Sequence, residues 1–201
     1  MGRAMVGKPA PEFSADSVSD LDFTTVSLSD YNGRYIILLF YPNDFSRICS
    51  AELLAFSNEM DQFKALGCSI LAISTDSKFA HFAWSSQPTN VGGVNGIRYP
   101  LCADKNYMIS REYGVMNEDE GTSHRGLFVI DSAGVIRFMS VNDLCIERSV
   151  DEVIRIVSAI QYADKYGTTC PADWKPRKLT LTTESKAPLK TDVKNKENHR
   201  K

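Results

Sequence analysis

The segment from residue 35 to residue 74 constrains the fold most, because it has the pattern of a strand, a helix and a second strand in close succession. Residues 35–41 form a β-branched and aromatic run between turn residues, which is typical of a strand buried on both faces. Apolar residues then recur near helical spacing over residues 48–66, and Cys68–Ser74 is a second apolar strand. The short connections predict a right-handed βαβ unit with two parallel strands.

The rest of the chain predicts further helices and one antiparallel hairpin. Helices are expected over three segments: Lys78–Ser86, residues 104–113 and Val150–Tyr166. Ser149 can cap the last of these helices and Gly167 can end it. Residues 126–130 and 135–139 are β-rich runs on either side of a four-residue turn, which predicts a hairpin. We therefore expect one α/β domain with a central mixed β-sheet flanked by helices.

Hydropathy and charge exclude several classes of protein. No apolar run approaches the roughly 18 residues that cross a bilayer, and residues 1–8 contain no apolar leader segment. We therefore expect no membrane span and a cytoplasmic location. The net charge of −2 gives no footprint for nucleic acid. Residues 175–201 nevertheless contain nine Lys or Arg against three Asp or Glu, so residues 178–201 are expected to be a basic, disordered tail.

The cysteines indicate a reducing compartment in which each thiol has to be assessed singly. There are five, at irregular spacing and without a Cys-x-x-Cys pair, which argues against a secreted disulfide framework and against a zinc ribbon. We expect neither a metal nor an organic cofactor. Cys68, Cys102 and Cys145 lie in or beside apolar residues, and we interpret them as buried packing residues.

Cys49 and Cys170 are the candidates for thiol chemistry. Cys49 lies where the loop after the first strand enters a helix, and the free N–H groups and positive dipole end of a helix N-terminus stabilise a thiolate. A buried packing cysteine at a strand–helix junction remains the alternative. Cys170 follows the last predicted helix in a turn-rich segment, where we expect an exposed thiol available for disulfide exchange.

The residues at defined distances from Cys49 show whether the chain fits other classes of cysteine enzyme. A cysteine phosphatase needs Arg six residues after its nucleophile, but the residue six positions after Cys49 is Ala55. A thioredoxin-type oxidoreductase needs a second cysteine three residues after the first, but Glu52 occupies that position. Both classes of enzyme are therefore disfavoured. A cysteine protease needs a histidine base. We interpret His81 as a surface or partly buried residue, whereas His124 remains a candidate for such a base.

Residues 40–52 read Phe-Tyr-Pro-Asn-Asp-Phe-Ser-Arg-Ile-Cys-Ser-Ala-Glu and resemble the peroxidatic-cysteine segment of the typical two-cysteine peroxiredoxins, with its pattern Pro-x-x-x-Thr/Ser-x-x-Cys. Further matches follow in order at residues 66–68, 119–128, 141–144, 148–152 and 169–176. The resemblance covers residues 7–177 and implies a thioredoxin-like fold with a C-terminal extension. It divides the chain into a peroxidase domain (residues 5–165), an arm with a resolving cysteine (166–177) and the tail (178–201).

The resemblance implies a thiol-specific antioxidant peroxidase that reduces hydrogen peroxide and organic hydroperoxides. Cys49 would attack the peroxide and become a sulfenic acid. Arg125 would stabilise both the thiolate and the oxygen that gains negative charge. Ser46 would hold the peroxide through its hydroxyl group, and Pro42 would shield the thiolate from water.

The resemblance also implies how the site is supported and regenerated. Glu52 and Arg148 would form a network that orients Arg125, although either could be an ordinary surface ion pair. Cys170 of the neighbouring subunit would attack the sulfenic acid, giving an intersubunit Cys49–Cys170 disulfide in a homodimer, and the family often assembles five dimers into a decamer. Thioredoxin or a similar protein would reduce this disulfide. A redox relay and a chaperone-like oligomeric holdase remain the alternatives.

Two departures from the family pattern bear on regeneration. Ser50 stands where the family usually has Pro, which we interpret as the first helical position, so local unfolding around Cys49 should be easier. Residues 92–95 match the Gly-Gly-Leu-Gly loop of many eukaryotic members only in part, and residues 178–201 contain no aromatic residue to match their C-terminal Tyr-Phe pair. The resemblance therefore predicts resistance to overoxidation of Cys49 to sulfinic acid.

Overall fold

A computed structural model describes residues 4–176 of the chain. The strands are β1 (Ser14–Ser19), β2 (Asp22–Ser27), β3 (Tyr35–Phe40), β4 (Cys68–Ser74), β5 (Leu101–Ala103), β6 (Met116–Asn117), β7 (Thr122–Ser123), β8 (Arg125–Ile130) and β9 (Ile136–Asn142). The helices are α1 (Arg47–Asn58), α2 (Met60–Ala65), α3 (Lys78–Ser86), α4 (Met108–Glu112) and α5 (Val150–Tyr166). The predicted tail over residues 178–201 lies outside the described residues.

The main sheet has seven strands in the order β2-β1-β5-β4-β3-β8-β9. Strand β3 is parallel to β4 and antiparallel to β8, while β8 and β9 form an antiparallel pair. The predicted βαβ unit, the hairpin and the mixed character of the sheet are therefore confirmed. Strand β3 lies inside the sheet, between β4 and β8. Its carboxyl end therefore lies at the edge of the sheet where ligand sites form in open α/β folds.

Alternate residues of β3 contribute to two separate cores. Ile37 and Leu39 face a core shared with the apolar sides of α1, α2, α3 and α5. Ile36, Leu38 and Phe40 face the opposite core, which includes residues of β2, α4 and β8. Because both faces of β3 are covered, its residues 36–40 are all apolar, and each of these buried side chains stabilises the fold by roughly 1.5–3 kcal/mol.

The structure corrects two of the predicted helices. The single helix expected over residues 48–66 is two helices, α1 and α2, separated at Glu59, whose backbone leaves the helical region with φ −94° and ψ 11°. The break follows Ser57 and Asn58, which are weak helix formers, and the Ser57 hydroxyl accepts the N–H of Arg98 instead of facing solvent. The helix expected over residues 104–113 is shortened to α4.

Helix α5 agrees with its predicted limits. The Ser149 hydroxyl accepts the N–H of Glu152, and Gly167 ends the helix in the left-handed region with φ 58°. Strands β1, β2, β5, β6 and β7 were not predicted. No helix within residues 4–176 is long and apolar enough to cross a membrane.

Candidate active site

Cys49 is the third residue of α1, just beyond the carboxyl end of β3. Its side chain is almost completely buried, and its N–H donates to the hydroxyl of Ser46, which caps the helix, at 3.4 Å. The thiol therefore lies in the first turn of a twelve-residue helix. The positive end of the helix dipole favours the ionised form of a sulfur placed there.

Arg125, the first residue of β8, brings a positive charge to this sulfur. Its Nη2 lies 3.6 Å from the Sγ of Cys49, and the arginine is only 2% exposed. Its Nε donates to the carbonyl oxygen of Leu144 at 2.7 Å. Two residues that are 76 positions apart in the chain therefore meet as the resemblance implied.

Glu52 and Arg148 are buried beside Arg125 and do not form a surface ion pair. One carboxylate oxygen of Glu52 accepts from Nη1 of Arg125 and from Nη2 of Arg148, both at 2.7 Å. The other oxygen accepts from the backbone N–H and the Nε of Arg148, also at 2.7 Å. The remaining Nη1 of Arg148 donates to the carbonyl oxygens of Phe40 and Gly126. The alternative of an ordinary surface pair is wrong.

The carboxyl group of Glu52 is ionised because of this arrangement. Burial alone would raise its pKa, but the hydrogen bonds and charge of Arg148, together with the charge of Arg125, hold the pKa below its usual value. The cluster then contains two guanidinium groups and one carboxylate. One positive charge remains uncompensated next to Cys49, and a thiolate at Cys49 would balance it.

Ser46 and Pro42 line the loop between β3 and α1. Ser46 accepts the N–H of Cys49, which leaves its hydroxyl proton able to donate to a ligand. Pro42 is buried and lies two residues after the end of β3, whereas Arg47 is exposed. The loop therefore places a hydroxyl group at the N-terminal end of α1.

Ser50 differs from its predicted position, because it is the fourth and not the first residue of α1. Its N–H donates to the carbonyl oxygen of Ser46 at 2.9 Å, a bond that Pro could not make. Compared with Pro, Ser50 stabilises the folded helix through this hydrogen bond, but it also leaves the unfolded chain more conformational freedom, which lowers stability. Each effect changes the free energy of unfolding by about 1 kcal/mol. The two effects oppose each other, so we no longer expect the substitution to loosen the first turn.

Cys170 lies against α5 and is half-buried, so the expectation of an exposed thiol is wrong. Its Sγ contacts the carbonyl oxygen of Ala159 at 3.5 Å. Ala159 lies about 15 Å along α5 from Ser149. Ser149 is next to Arg148, which belongs to the active site. Cys49 and Cys170 are both free thiols, and the arm of a single chain does not bring them together.

The other cysteines divide into two buried thiols and one exposed thiol. Burial raises the pKa of Cys68 and of Cys102 to about 12, so both are protonated packing residues, as predicted. The prediction for Cys145 is wrong, because it is exposed. Cys145 lies in a tight turn after the edge strand β9, and no described helix or strand covers it. The N–H of Ile146 closes this turn by donating to the carbonyl oxygen of Asp143 at 3.0 Å.

His81 is completely buried, which corrects its interpretation as a surface or partly buried residue. Its Nδ1 lies 2.7 Å from a carboxylate oxygen of Asp44, and the hydroxyl of Tyr41 donates to the other oxygen at 2.8 Å. Burial raises the pKa of Asp44. These three residues brace the loop that leads into α1 and Cys49. Within the described residues 4–176, the half-buried His124 forms no side-chain hydrogen bond to Cys49. The geometry therefore does not support a cysteine–histidine pair.

The same part of the chain contains no group of three or more His, Cys, Asp or Glu side chains arranged to hold a metal ion. The site consists of a thiol, two arginines and one carboxylate. Such a set can ionise a sulfur, and it can stabilise negative charge that develops on an atom bound next to that sulfur.

Comparison with known families gives two matches to this chain. The model of the AhpC/TSA family matches residues 6–139, and that of the C-terminal domain of 1-Cys peroxiredoxin matches residues 159–196. The first match contains Cys49 and Arg125, and the second contains Cys170. The two matches together span both thiols of interest.

Individual proteins and structures agree with these matches. The chain is 49% identical to peroxiredoxin-2 of Macaca fascicularis over 180 residues, which cover 90% of this chain and 91% of that protein. It is 49% identical to a thioredoxin peroxidase of Echinococcus granulosus over 178 residues, covering 89% and 92%. The crystal structure of reduced Plasmodium vivax 2-Cys peroxiredoxin superimposes with a TM-score of 0.82 at 41% identity, covering 85% of this chain and 89% of that one. The predicted thioredoxin-like fold is confirmed by this similarity.

Proposed function

This chain belongs to the AhpC/TSA family of peroxiredoxins, and on that basis we propose that Cys49, Arg125 and Cys170 carry its peroxidase chemistry. The protein is a peroxidase with an antioxidant function, and its relatives do not favour the holdase alternative. The observation that supports the assignment of residues is the contact of 3.6 Å between Nη2 of Arg125 and the buried sulfur of Cys49.

In the first step the thiolate of Cys49 attacks one oxygen of a hydroperoxide. A sulfur–oxygen bond forms as the oxygen–oxygen bond breaks, and the departing oxygen takes up a proton to leave as water or an alcohol. Arg125 stabilises the negative charge as it moves from sulfur to oxygen. The Ser46 hydroxyl holds the peroxide, and Pro42 limits access of water to the thiolate. Glu52 and Arg148 keep Arg125 in position through the bonds described above.

In the second step the thiolate of Cys170 attacks the sulfur of the Cys49 sulfenic acid. The sulfur–sulfur bond forms, the sulfur–oxygen bond breaks, and hydroxide leaves and is protonated to water. Since the arm of one chain holds Cys170 away from its own Cys49, attack from a neighbouring subunit of a homodimer is the simpler route. Decamer formation and the cytoplasmic location stay predictions.

A dithiol protein of the thioredoxin type completes the cycle. It would exchange with the disulfide and leave both cysteines reduced. The name of the Echinococcus relative supports this class of reductant. The exposed position of the arm, with Lys175 and Pro176 at its described end, makes the disulfide accessible to such a partner once it has formed.

The intersubunit disulfide is tested by treating the reduced protein with one equivalent of hydrogen peroxide and separating the chains under denaturing, non-reducing conditions. We expect covalent dimers for the wild type, and no dimers for Cys49→Ser or Cys170→Ser. Cys145→Ser removes the exposed thiol and should dimerise as the wild type does. Chains of Cys49→Ser and Cys170→Ser refolded together should form dimers with one disulfide.

A disulfide within one chain, or dimers that depend on Cys145, would contradict the proposed pairing. Peptide mapping of the oxidised protein distinguishes these outcomes, because it identifies the two cysteines that each disulfide joins.

A further inference from the structure

The buried groups of the active site decide from which side a peroxide approaches the sulfur of Cys49. Glu52 and Arg125 close the inner side, because both side chains are almost completely buried and bond each other there. Ser46, at the N-terminal end of α1, is half-buried and connects this interior to the surface. A hydroperoxide held between the Ser46 hydroxyl and the sulfur therefore extends the rest of its molecule past the N-terminal end of α1.

Arg47 is the charged residue at this opening. It is exposed and is the first residue of α1. Its Cα lies about 3 Å from that of Cys49 along the helix axis, on the N-terminal side. Because the Cα–Cβ bond of a helical residue tilts toward the N-terminus, the long side chain of Arg47 starts toward the side from which a peroxide approaches.

The charge of Arg47 is not neutralised by any residue that the structure describes. Carboxylate groups pair with four other arginines, namely Arg98, Arg111, Arg137 and Arg155. Within residues 4–176 no carboxylate pairs with Arg47, whose carbonyl oxygen accepts the hydroxyl of Ser50. The guanidinium group therefore keeps its donors for a ligand, and a carboxylate matches their planar geometry.

Two apolar side chains flank Arg47 at the surface. Phe45 is 49% exposed and Ile48 is 45% exposed, although side chains of these types are usually buried. Phe45 has a φ of 59°, an unfavourable conformation for a bulky residue, and its ring lies 6.2 Å from that of Trp84. The opening thus combines a positive charge with an apolar rim, which is complementary to an alkyl chain that carries a carboxylate.

We propose that Arg47 is a specificity-determining residue that makes this peroxidase favour hydroperoxides with a carboxylate on an alkyl chain, the chemistry of a fatty-acid hydroperoxide. The proposal rests on the proposed function, because it names the substrate class of the same site. The thiolate of Cys49 attacks the terminal oxygen, and the oxygen–oxygen bond breaks as the sulfur–oxygen bond forms. The departing alkoxide takes up a proton, so the product is the hydroxy acid. Arg47 holds the carboxylate and takes no part in these bond changes.

The test compares the hydroperoxide of linoleic acid with that of methyl linoleate, in which an uncharged ester replaces the carboxylate. The rate constant for oxidation of Cys49 by each compound is measured by rapid mixing, at concentrations too low for micelles to form. The ratio of the acid rate constant to the ester rate constant is then compared among variants. Both values come from one preparation of each variant, so a partial loss of folded protein does not alter their ratio.

Variants at Arg47 separate its charge from its length. Arg47→Met keeps a long side chain without the charge, and should lower the acid-to-ester ratio about twofold to fivefold, the usual effect of one exposed ion pair. Arg47→Lys keeps the charge without the planar donors and should lie between the wild type and Arg47→Met. Arg47→Glu repels the carboxylate and should lower the ratio roughly tenfold.

Salt provides an independent measure of the same charge. At an ionic strength of about 0.1 M the screening length is about 10 Å, and at about 1 M it is about 3 Å. The difference between the wild type and Arg47→Met should therefore be clear at the lower ionic strength and nearly absent at the higher one.

Arg34→Met is the matched control. Arg34 is also exposed and has no ion pair within the described residues, but it directly precedes β3, at the opposite end of that strand from Cys49. The six residues of the strand span about 20 Å, which is twice the screening length at about 0.1 M ionic strength. This variant should keep the wild-type ratio.

An acid-to-ester ratio that is the same in the wild type, Arg47→Met and Arg47→Glu would overturn the proposal. An equal fall in Arg34→Met would also overturn it, because net charge and not Arg47 would then set the preference. Neither result affects a fast reaction with hydrogen peroxide. If Cys49 of the wild type is oxidised by neither hydrogen peroxide nor either lipid hydroperoxide, the proposed function itself fails.

Discussion

Replacement of Arg125 by alanine is expected to lower the rate constant for the reaction of Cys49 with hydrogen peroxide by about two to three orders of magnitude, the usual effect of removing one donor aimed at a developing oxyanion. Arg125 supplies the guanidinium nitrogen that contacts the sulfur, and with it the positive charge that Glu52 does not compensate. The measurement is rapid mixing of reduced protein with excess peroxide at several concentrations.

The fold should survive this change. Without Arg125, the buried Glu52 still forms an ion pair with Arg148 through both of its oxygens, so no uncompensated charge is left behind. Circular dichroism and the denaturant midpoint verify this point.

Arg47→Ala is the matched control, because Arg47 is an exposed arginine only two residues before Cys49. It should change the rate severalfold at most. A larger loss in Arg47→Ala than in Arg125→Ala would mean that the general positive potential of the loop, and not the buried contact, activates the sulfur.

Replacement of Glu52 by glutamine is expected to lower the free energy of unfolding by about 3–5 kcal/mol, the range found when one partner of a buried ion pair is removed. The carboxylate accepts four hydrogen bonds from Arg125 and Arg148, and its loss removes the negative charge that pairs with both buried guanidinium groups. Denaturant titration of the reduced protein measures the change. Glu118→Gln removes an exposed carboxylate that pairs with Arg111 in the same bidentate manner and should have a far smaller effect.

The stabilisation from Glu52 should also depend on pH in a defined direction. The pKa of Glu52 in the folded protein is lower than in the unfolded chain, where it is about 4.3. Its contribution is therefore complete above about pH 5 and is lost as the pH falls through the folded pKa. The difference in unfolding free energy between wild type and Glu52→Gln should narrow below pH 4. A difference that is equal at pH 7 and pH 3 would contradict this account of the cluster.

The sequence predicted the centre of the fold well because burial on both faces leaves an unmistakable pattern. Strands β3 and β4 are apolar runs bounded by turns, and α5 has a capping serine and a terminating glycine. Strands β1 and β2 were missed because they lie toward an edge of the sheet, and each has only two apolar residues among its six, without a regular alternation. For such short segments the pairing partner, and not the local pattern, decides the structure.

The active site could be predicted from the residues alone only in part. The location of Cys49 at a strand–helix junction identified it as a candidate, but its contact with Arg125 joins segments 76 residues apart and came only from the resemblance. The burial of His81 and the exposure of Cys145 were both predicted wrongly. Each depends on whether another element covers the position, and neither local composition nor periodicity contains that information.

The role of Cys49 is tested most directly by the second-order rate constant for consumption of hydrogen peroxide by the fully reduced protein, determined by rapid mixing beside Cys49→Ser. We predict a wild-type rate constant that is orders of magnitude above that of an unactivated thiol, and the loss of this fast reaction in Cys49→Ser. A wild-type value equal to that of a free thiol, or a fast reaction that persists without Cys49, would contradict the assignment of Cys49 as the residue that attacks the peroxide.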